Sequence, residues 1–375
     1  MNIQNTKHTI LRNISNIPGW RTSKRIIVLE SDDWGSIRMP SNKTFEKLKD
    51  ELRFASDGGF IYNKYDSLAT NQDLSSLFEV LSSIKDSNNR PAVFTPLAIV
   101  ANPDFKKISE SEFNDYYFEP FSNTFKSYPG CSNSYRLWLE GIGARLFLPQ
   151  FHGREHLNVK TWMRALNIKH GRTVTAFNNG MWGISTANDK DIRLEFQAAF
   201  DFFYSEDLEY HKEVIVSGLN LFEELFGYRA SYFVPPNGPF SLSLESVCFS
   251  EGIKYLFRSK RQREPVGEGI SKARIFVPGQ KSKSGLTYMS RNCFFEPVQP
   301  GKDWVDSCLS EISIAFRWNK PAIISTHRVN YIGALHKSNR DNGLKSLNIL
   351  LDRIMKSWPD AMFLTTSELG ELINK

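Results

Sequence analysis

Short apolar runs, each closed by a polar or glycine-rich turn and most of them separated by amphipathic stretches, set the strongest limit on what this chain can fold into. The first is Arg25-Ile26-Ile27-Val28-Leu29-Glu30. Its apolar residues are continuous rather than alternating, so a strand there must be covered on both faces, as in a parallel sheet. Ala92–Leu97, Arg145–Gln150, Ser231–Val234, Ile253–Phe257, Ala322–Arg328 and Ala361–Thr365 are further strand candidates. Ala273–Val277 and Leu286–Arg291 are strand-like too, either a hairpin or two neighbouring strands. Between these runs Phe45–Leu52, Leu74–Ile84, Val159–Leu166, Asp191–Phe226, Leu244–Gly252, Asp303–Arg317 and Gly343–Trp358 read as helices, and Ser367 opens a last one. Alternation of this kind predicts an α/β fold, a parallel barrel rather than an open sheet. One domain over residues 1–375 is expected, with insertions at 102–144 and 170–190. The first of these is polar and aromatic-rich, and reads as an irregular part of a substrate rim.

Composition excludes several classes. The 375 residues are 41% hydrophobic, which supports a large core and not a disordered chain. No apolar run approaches the ~20 residues of a membrane span. Met1–Trp20 lacks the apolar centre of a secretory leader, which predicts a cytoplasmic protein. Cys131, Cys248, Cys293 and Cys308 are far apart, with no CxxC, and read as ordinary thiols. The net charge of +6 is spread along the chain. Its densest run, Arg258–Arg263, reads as a solvated loop; an anionic glycan or a lipid headgroup is the functional alternative, and no motif supports nucleic acid. His170 and His211 read as surface residues. Oligomeric state has no signature here.

Polar groups close three of the runs. Asp32-Asp33 follow the first, His152 and His156 follow the third, and His327 ends the one that starts at Ala322. The spacing of His152 and His156 puts two imidazoles on one face of a helical turn, close enough to share a cation. Two surface histidines are the ordinary alternative. In a barrel, strand ends converge at one mouth. Two histidines and one carboxylate with an open position make a catalytic metal site. A bound cation lowers the pKa of its water, the remaining carboxylate can take the proton, and a separate histidine can protonate a leaving group. Those parts suit hydrolysis of an amide or ester.

In this order the motifs resemble the polysaccharide deacetylases of the NodB-homology type, carbohydrate esterase family 4. Glu30-Ser31-Asp32-Asp33 matches the family's first motif and His152 to His156 its HxxxH. Val234-Pro235-Pro236-Asn237-Gly238 and Ser325-Thr326-His327 match the later ones, and Phe363–Leu369 is similar to the family's ending. The resemblance runs from about Arg25 to the C-terminus and implies a distorted (β/α)7 barrel. It implies Asp32 as general base, His327 as general acid, and Asp33, His152 and His156 as ligands of a divalent metal, zinc foremost. A backbone N–H near Asn237 would face the oxyanion, and Trp34 and Arg328 would lie beside the substrate, an N- or O-acetylated sugar. The family's arginine before the proline pair is Val234 here, which leaves Asp32 to find another cation: Arg328, Arg154, Arg38 or Arg258. The family's acidic-tryptophan motif has no match, since Asp303-Trp304 falls in a helix. Two other functions stay open. A glycosidase would need Glu140 or Glu155 beside the aspartate pair, and a non-catalytic glycan-binding protein would fit the missing arginine.

Overall fold

The structure, a computed structural model, describes residues 3–56, 59–186 and 189–375. Nine strands form one parallel sheet: β1 Ile26–Trp34, β2 Phe94–Ile99, β3 Gln150–Gly153, β4 Tyr232–Phe233, β5 Tyr255–Phe257, β6 Thr287–Met289, β7 Cys293–Phe294, β8 Ala322–His327 and β9 Met362–Phe363. Their order is β6-β5-β4-β3-β2-β1-β8-β7, with β9 also on β1. The two end strands, β6 and β7, are separated in the chain by Ser290-Arg291-Asn292 alone. So short a link spans roughly 10–13 Å. The sheet must therefore curl until its edges nearly meet, which makes it a distorted (β/α) barrel with a seam.

The alternation along β1 sorts the core. Ile27 and Leu29 join the large apolar cluster between sheet and helices. Ile26 and Val28 join a smaller cluster with Leu97, Tyr232, Tyr255, Met289 and Ile323, inside the barrel. Both faces are buried, hence the unbroken apolar run. The same period of two sends Glu30 and Asp32 inward.

Several boundaries differ from the sequence reading. The third strand is Gln150–Gly153, not Arg145–Gln150; Phe147 contributes only an isolated bridge to Phe94. Pro149 has no N–H for a ladder, so regular pairing begins after it. The long helix starts at Asp207 rather than Asp191. In the preceding stretch Ile192, Leu194, Phe196, Ala198, Ala199, Phe200 and Phe202 are buried, and the chain runs through tight turns closed by Ala198 N–H to the Glu195 carbonyl and Asp201 N–H to the Ala198 carbonyl rather than a helix. His211 is buried on that helix, on the same stripe as Ile215 and Leu219, and not on the surface. Burial lowers its pKa to about 4.

Arg258–Arg263 is not a solvated loop. Arg258 is fully buried and paired with Glu245, and Arg261–Gly267 forms a hairpin with Ile270–Ile275. Ala273–Val277 therefore pairs there, apart from Leu286–Arg291, which supplies β6. The insertion at 102–144 is regular: helices Phe105–Glu110, Phe121–Ser127 and Ser134–Gly143, and a short antiparallel pairing of Ala101–Pro103 with Phe118–Pro120. In the insertion at 170–190, Gly171–Phe177 is helical, and residues 187–188 lie outside the described residues. The four cysteines are free and buried. Among the described residues, no helix is long and apolar enough to cross a membrane.

Candidate active site

β1, β3 and β8 carry Asp32-Asp33, His152 and His327 to the same end of the sheet, around a cavity of about 570 Å³. In a regular strand Asp32 and Asp33 would face opposite sides. Here the register of β1 against β2 shifts between Ser31 and Trp34, and Asp33 has a φ of 72°. This bulge turns Asp33 back, so both carboxylates line the cavity. A left-handed backbone at a residue with a Cβ is costly, on the order of 1 kcal/mol or more.

His152 ends β3, and Nδ1 lies 2.6 Å from the carbonyl of Val234. A carbonyl only accepts, so Nδ1 donates, and in the neutral ring Nε2 carries the lone pair. His156 is not on a helical turn with His152. The chain bends after Gly153, whose φ of 136° a residue with a Cβ would not adopt readily, and returns His156 to the cavity. The ring of Trp182 stacks on His156 with centroids 6.0 Å apart. Asp33 Oδ1 is 3.4 Å from His152 Nε2 and 3.1 Å from His156 Nε2.

A lone pair facing a carboxylate oxygen calls for a proton or a cation between them. The three donor atoms lie within 4.8 Å of one another, so this N2O set fits a divalent cation of the zinc type. Burial alone would raise the pKa of Asp33, but His156 and His152 hold it well below the usual carboxylate range. A second group, His170, Asp189 and Asp191, also brings its donors within 4.8 Å. His170 is half-buried there and pairs with Asp189 at 3.0 Å, rather than facing solvent.

The cation beside Asp32 is Arg291, from the seam between β6 and β7. Its Nη1 and Nη2 each lie 2.6 Å from an Asp32 oxygen, and its Nε lies 2.6 Å from Glu30. Burial opposes ionisation of Asp32, yet Arg291 holds its pKa below the ordinary value. None of the four arginines considered from sequence takes this place. Arg328 is fully buried and grips Asp66 with two bonds, Arg154 pairs with Glu155, Arg258 with Glu245, and Arg38 bonds Asn63.

On the other side of Asp32, His327 Nε2 is 3.8 Å from Asp32 Oδ2 and Nδ1 is 2.6 Å from Glu296. Burial disfavours the imidazolium, but Glu296, with help from Asp32 and Asp33, raises its pKa to about 10. Tyr62 meets His327 edge-on at 5.6 Å. Asn237 lines the cavity with a φ of 57°.

Trp34 and Arg328 do not line it. Trp34 is packed edge-on against Trp138 and Phe147 and donates to Ser31, because the bulge at Asp33 returns it to the core. Arg328 opens the turn after β8 and points at Asp66 and the carbonyl of Ser36. No residue of the 102–144 insertion lines the cavity either, so it is not a rim; Ser185, Glu195 and Gln197 stand there instead. Arg291, Glu296 and Tyr62 escaped the sequence reading. Only Arg291 had a signal, a charge closing the apolar run Leu286–Met289.

No protein-family model matches the chain, and no curated protein does. Among solved structures, the fold is similar to that of polysaccharide deacetylases. A protein described as one from Mycobacterium smegmatis is 13% identical, with 95% of this chain and 93% of that one covered and a TM-score of 0.43. A peptidoglycan deacetylase from Bacillus subtilis is 9% identical over 94% and 92%, with a TM-score of 0.35. A carbohydrate esterase family 4 pseudoenzyme from Bacillus anthracis is 10% identical over 92% and 66%, with a TM-score of 0.37. Likeness at this level concerns the arrangement of strands and helices and says nothing of chemistry.

Proposed function

We propose that this protein is a metal-dependent hydrolase that removes acetyl groups from an N- or O-acetylated sugar. The observation that carries this reading is the meeting, in one cavity, of Asp33, His152 and His156 with a clamped carboxylate on one side and a clamped imidazole on the other. Asp33, His152 and His156 would hold a divalent cation, which when bound polarises the acyl oxygen and makes water more acidic. Asp32, kept ionised and fixed in direction by Arg291, takes a proton from the attacking water as the new C–O bond forms. His327, kept protonated by Glu296, gives its proton to the leaving nitrogen or oxygen as the acyl bond breaks. Acetic acid and the free amine or hydroxyl result; the proton gained by Asp32 passes by way of solvent to reprotonate His327, and the acid product ionises to acetate. Pro235 and Pro236 have no N–H, so the first backbone donor in that turn is Asn237, which suits the oxyanion.

The other readings have less support. Glu140 is exposed and paired with Arg136, and Glu155 is buried against Arg154, so neither carboxylate named for a glycosidase lines the cavity; Glu195 does, but both its oxygens accept hydrogen bonds, from Ser185 and the Thr186 N–H. A binding-only protein was motivated by the missing arginine, and Arg291 fills that role.

The test is metal analysis of the purified protein with an acetate-release assay on acetylated sugars. One equivalent of a divalent cation and activity abolished by chelation are expected, and Asp33→Ala should lose both metal and activity. Acetate release that survives chelation, or a metal retained in full by Asp33→Ala, would refute the reading.

The clamp on His327 yields a pH prediction. The protonated ring is the active form, so activity is lost as pH rises through its pKa. Glu296→Gln removes the principal cause of the raised value. The alkaline limb of kcat/KM should then move down by a pH unit or more from about 10, which at pH 9 is a loss of about twofold or more relative to neutral pH. An unmoved limb would exclude His327 as the acid.

A further inference from the structure

Arg38 is the cationic residue of the cavity that the mechanism does not use; Glu195, the acidic one, is held by Ser185 and the Thr186 N–H. It is 6% exposed, yet among the described residues it has no carboxylate partner. Its Nε donates to Asn63 Oδ1 at 3.1 Å, while its Nη2 is buried with no hydrogen-bond partner. The Nδ2 of Asn63, itself fully buried, has none either. Two neighbouring buried donors are thus unsatisfied, one of them on a full positive charge, which is a costly arrangement in a protein by itself. Arg291, the other arginine at the cavity, has every nitrogen bonded to a carboxylate or to Ser325.

The position of Arg38 is also built. Its guanidinium lies 5.5 Å from the ring centre of Tyr62 and 6.0 Å from that of Trp182. Tyr62 abuts His327, and Trp182 stacks on His156. A Cβ at Gly183 would come within 3.2 Å of Arg38 Nε, so that glycine gives the side chain its room. Arg38 therefore stands between the ring that backs the candidate acid and the ring that backs the candidate metal ligand. Arg38 lines the same cavity as Asp33, His156 and His327.

We propose that Arg38 selects the substrate, and that the acetylated sugar admitted here carries an anionic group, a carboxylate or a phosphate, which pairs with the guanidinium. This deepens the deacetylase reading and rests on it. Nη2 is sealed from the cavity, but Nη1 makes no hydrogen bond among the described residues and is not sealed off; a planar guanidinium offering that donor and its charge matches either oxyanion.

The metal-loaded protein is assayed with N-acetylglucosamine, N-acetylglucosamine 6-phosphate and N-acetylmuramic acid. Binding of glucosamine, glucosamine 6-phosphate and muramic acid is measured by calorimetry. At least one anionic sugar should exceed the neutral one by about tenfold or more in kcat/KM, and which of them does so separates phosphate from carboxylate. Arg38→Gln should abolish that preference through KM. Arg38→Lys, which keeps the charge, should restore part of it, an effect that a purely structural role would not give; melting curves confirm that both variants fold.

Equal handling of all three sugars by the native protein, or losses that are the same for neutral and anionic sugars in both variants, overturns the Arg38 site and leaves the deacetylase reading intact. Tighter binding of an anionic amino sugar that Arg38→Gln removes, with no acetate released from any substrate, upholds the anion site and sinks the deacetylase reading.

Discussion

Replacing Arg291 with methionine is expected to cost about 3–5 kcal/mol of stability and to reverse the way stability responds to pH. The guanidinium is 7% exposed and bridges Glu30, which is fully buried, and Asp32, which is nearly so. Without it two carboxylates sit side by side on the inner face of β1 with no cation between them. In the native protein Asp32 has its pKa lowered in the fold. Its contribution to stability is therefore complete above the unfolded value near 4 and is lost as pH falls through the folded one.

In Arg291→Met the burial remains and the compensation is gone. The folded pKa of Asp32 then lies above the unfolded one, so the folded state holds the extra proton, and stability falls as pH rises from 5 to 8. Urea denaturation at those two pH values measures both effects. Arg291→Lys should recover the charge but not the two-pronged grip, and so fall in between. A methionine variant as stable as the native protein, with a flat profile, would show that the seam arginine is not what keeps Asp32 ionised.

The place of Arg291 also explains how far the sequence could be read. The barrel was legible because both faces of β1 are buried, so Ile26–Leu29 reads as one apolar block. The strand-end carboxylates and histidines were legible because a polar residue after such a block has few places to go but the mouth. What could not be read was pairing across the seam. Arg291 and Asp32 are brought together by the curl of the sheet, and nothing local to either residue records that. Glu296 is in the same position relative to His327: it sits in a turn after β7, and only the parallel pairing of β7 with β8 places it there. Trp34 misled because it was carried to the substrate with the motif beside it, whereas the bulge at Asp33 returns its side chain to the core. The stretch from Asp191 was misread for its charges; its apolar residues from Ile192 to Phe202 do not fall on a helical stripe, and the chain there runs through turns.

Asp32→Asn should retain the full complement of metal and lose about 10²–10⁴-fold in turnover, with KM little changed. The substitution is nearly isosteric, and Asp32 is not among the three donors that come together around Asp33. Two things fail at once. The amide cannot accept a proton from water, and its NH₂ faces one of the two Arg291 nitrogens that now lie 2.6 Å from carboxylate oxygens, a donor against a donor. The second effect can be separated from the first. In a double-mutant cycle with Arg291→Lys, a base whose only need of the arginine is its orientation predicts strong non-additivity: once Asp32 is amidated, losing the fork costs almost nothing further in turnover. Additive losses would mean that Arg291 acts on the reaction by another route, through Glu30 or the shape of the seam. Turnover near the native level in Asp32→Asn, with metal bound, would remove Asp32 from the chemistry altogether and leave the clamped pair as part of the barrel's framework.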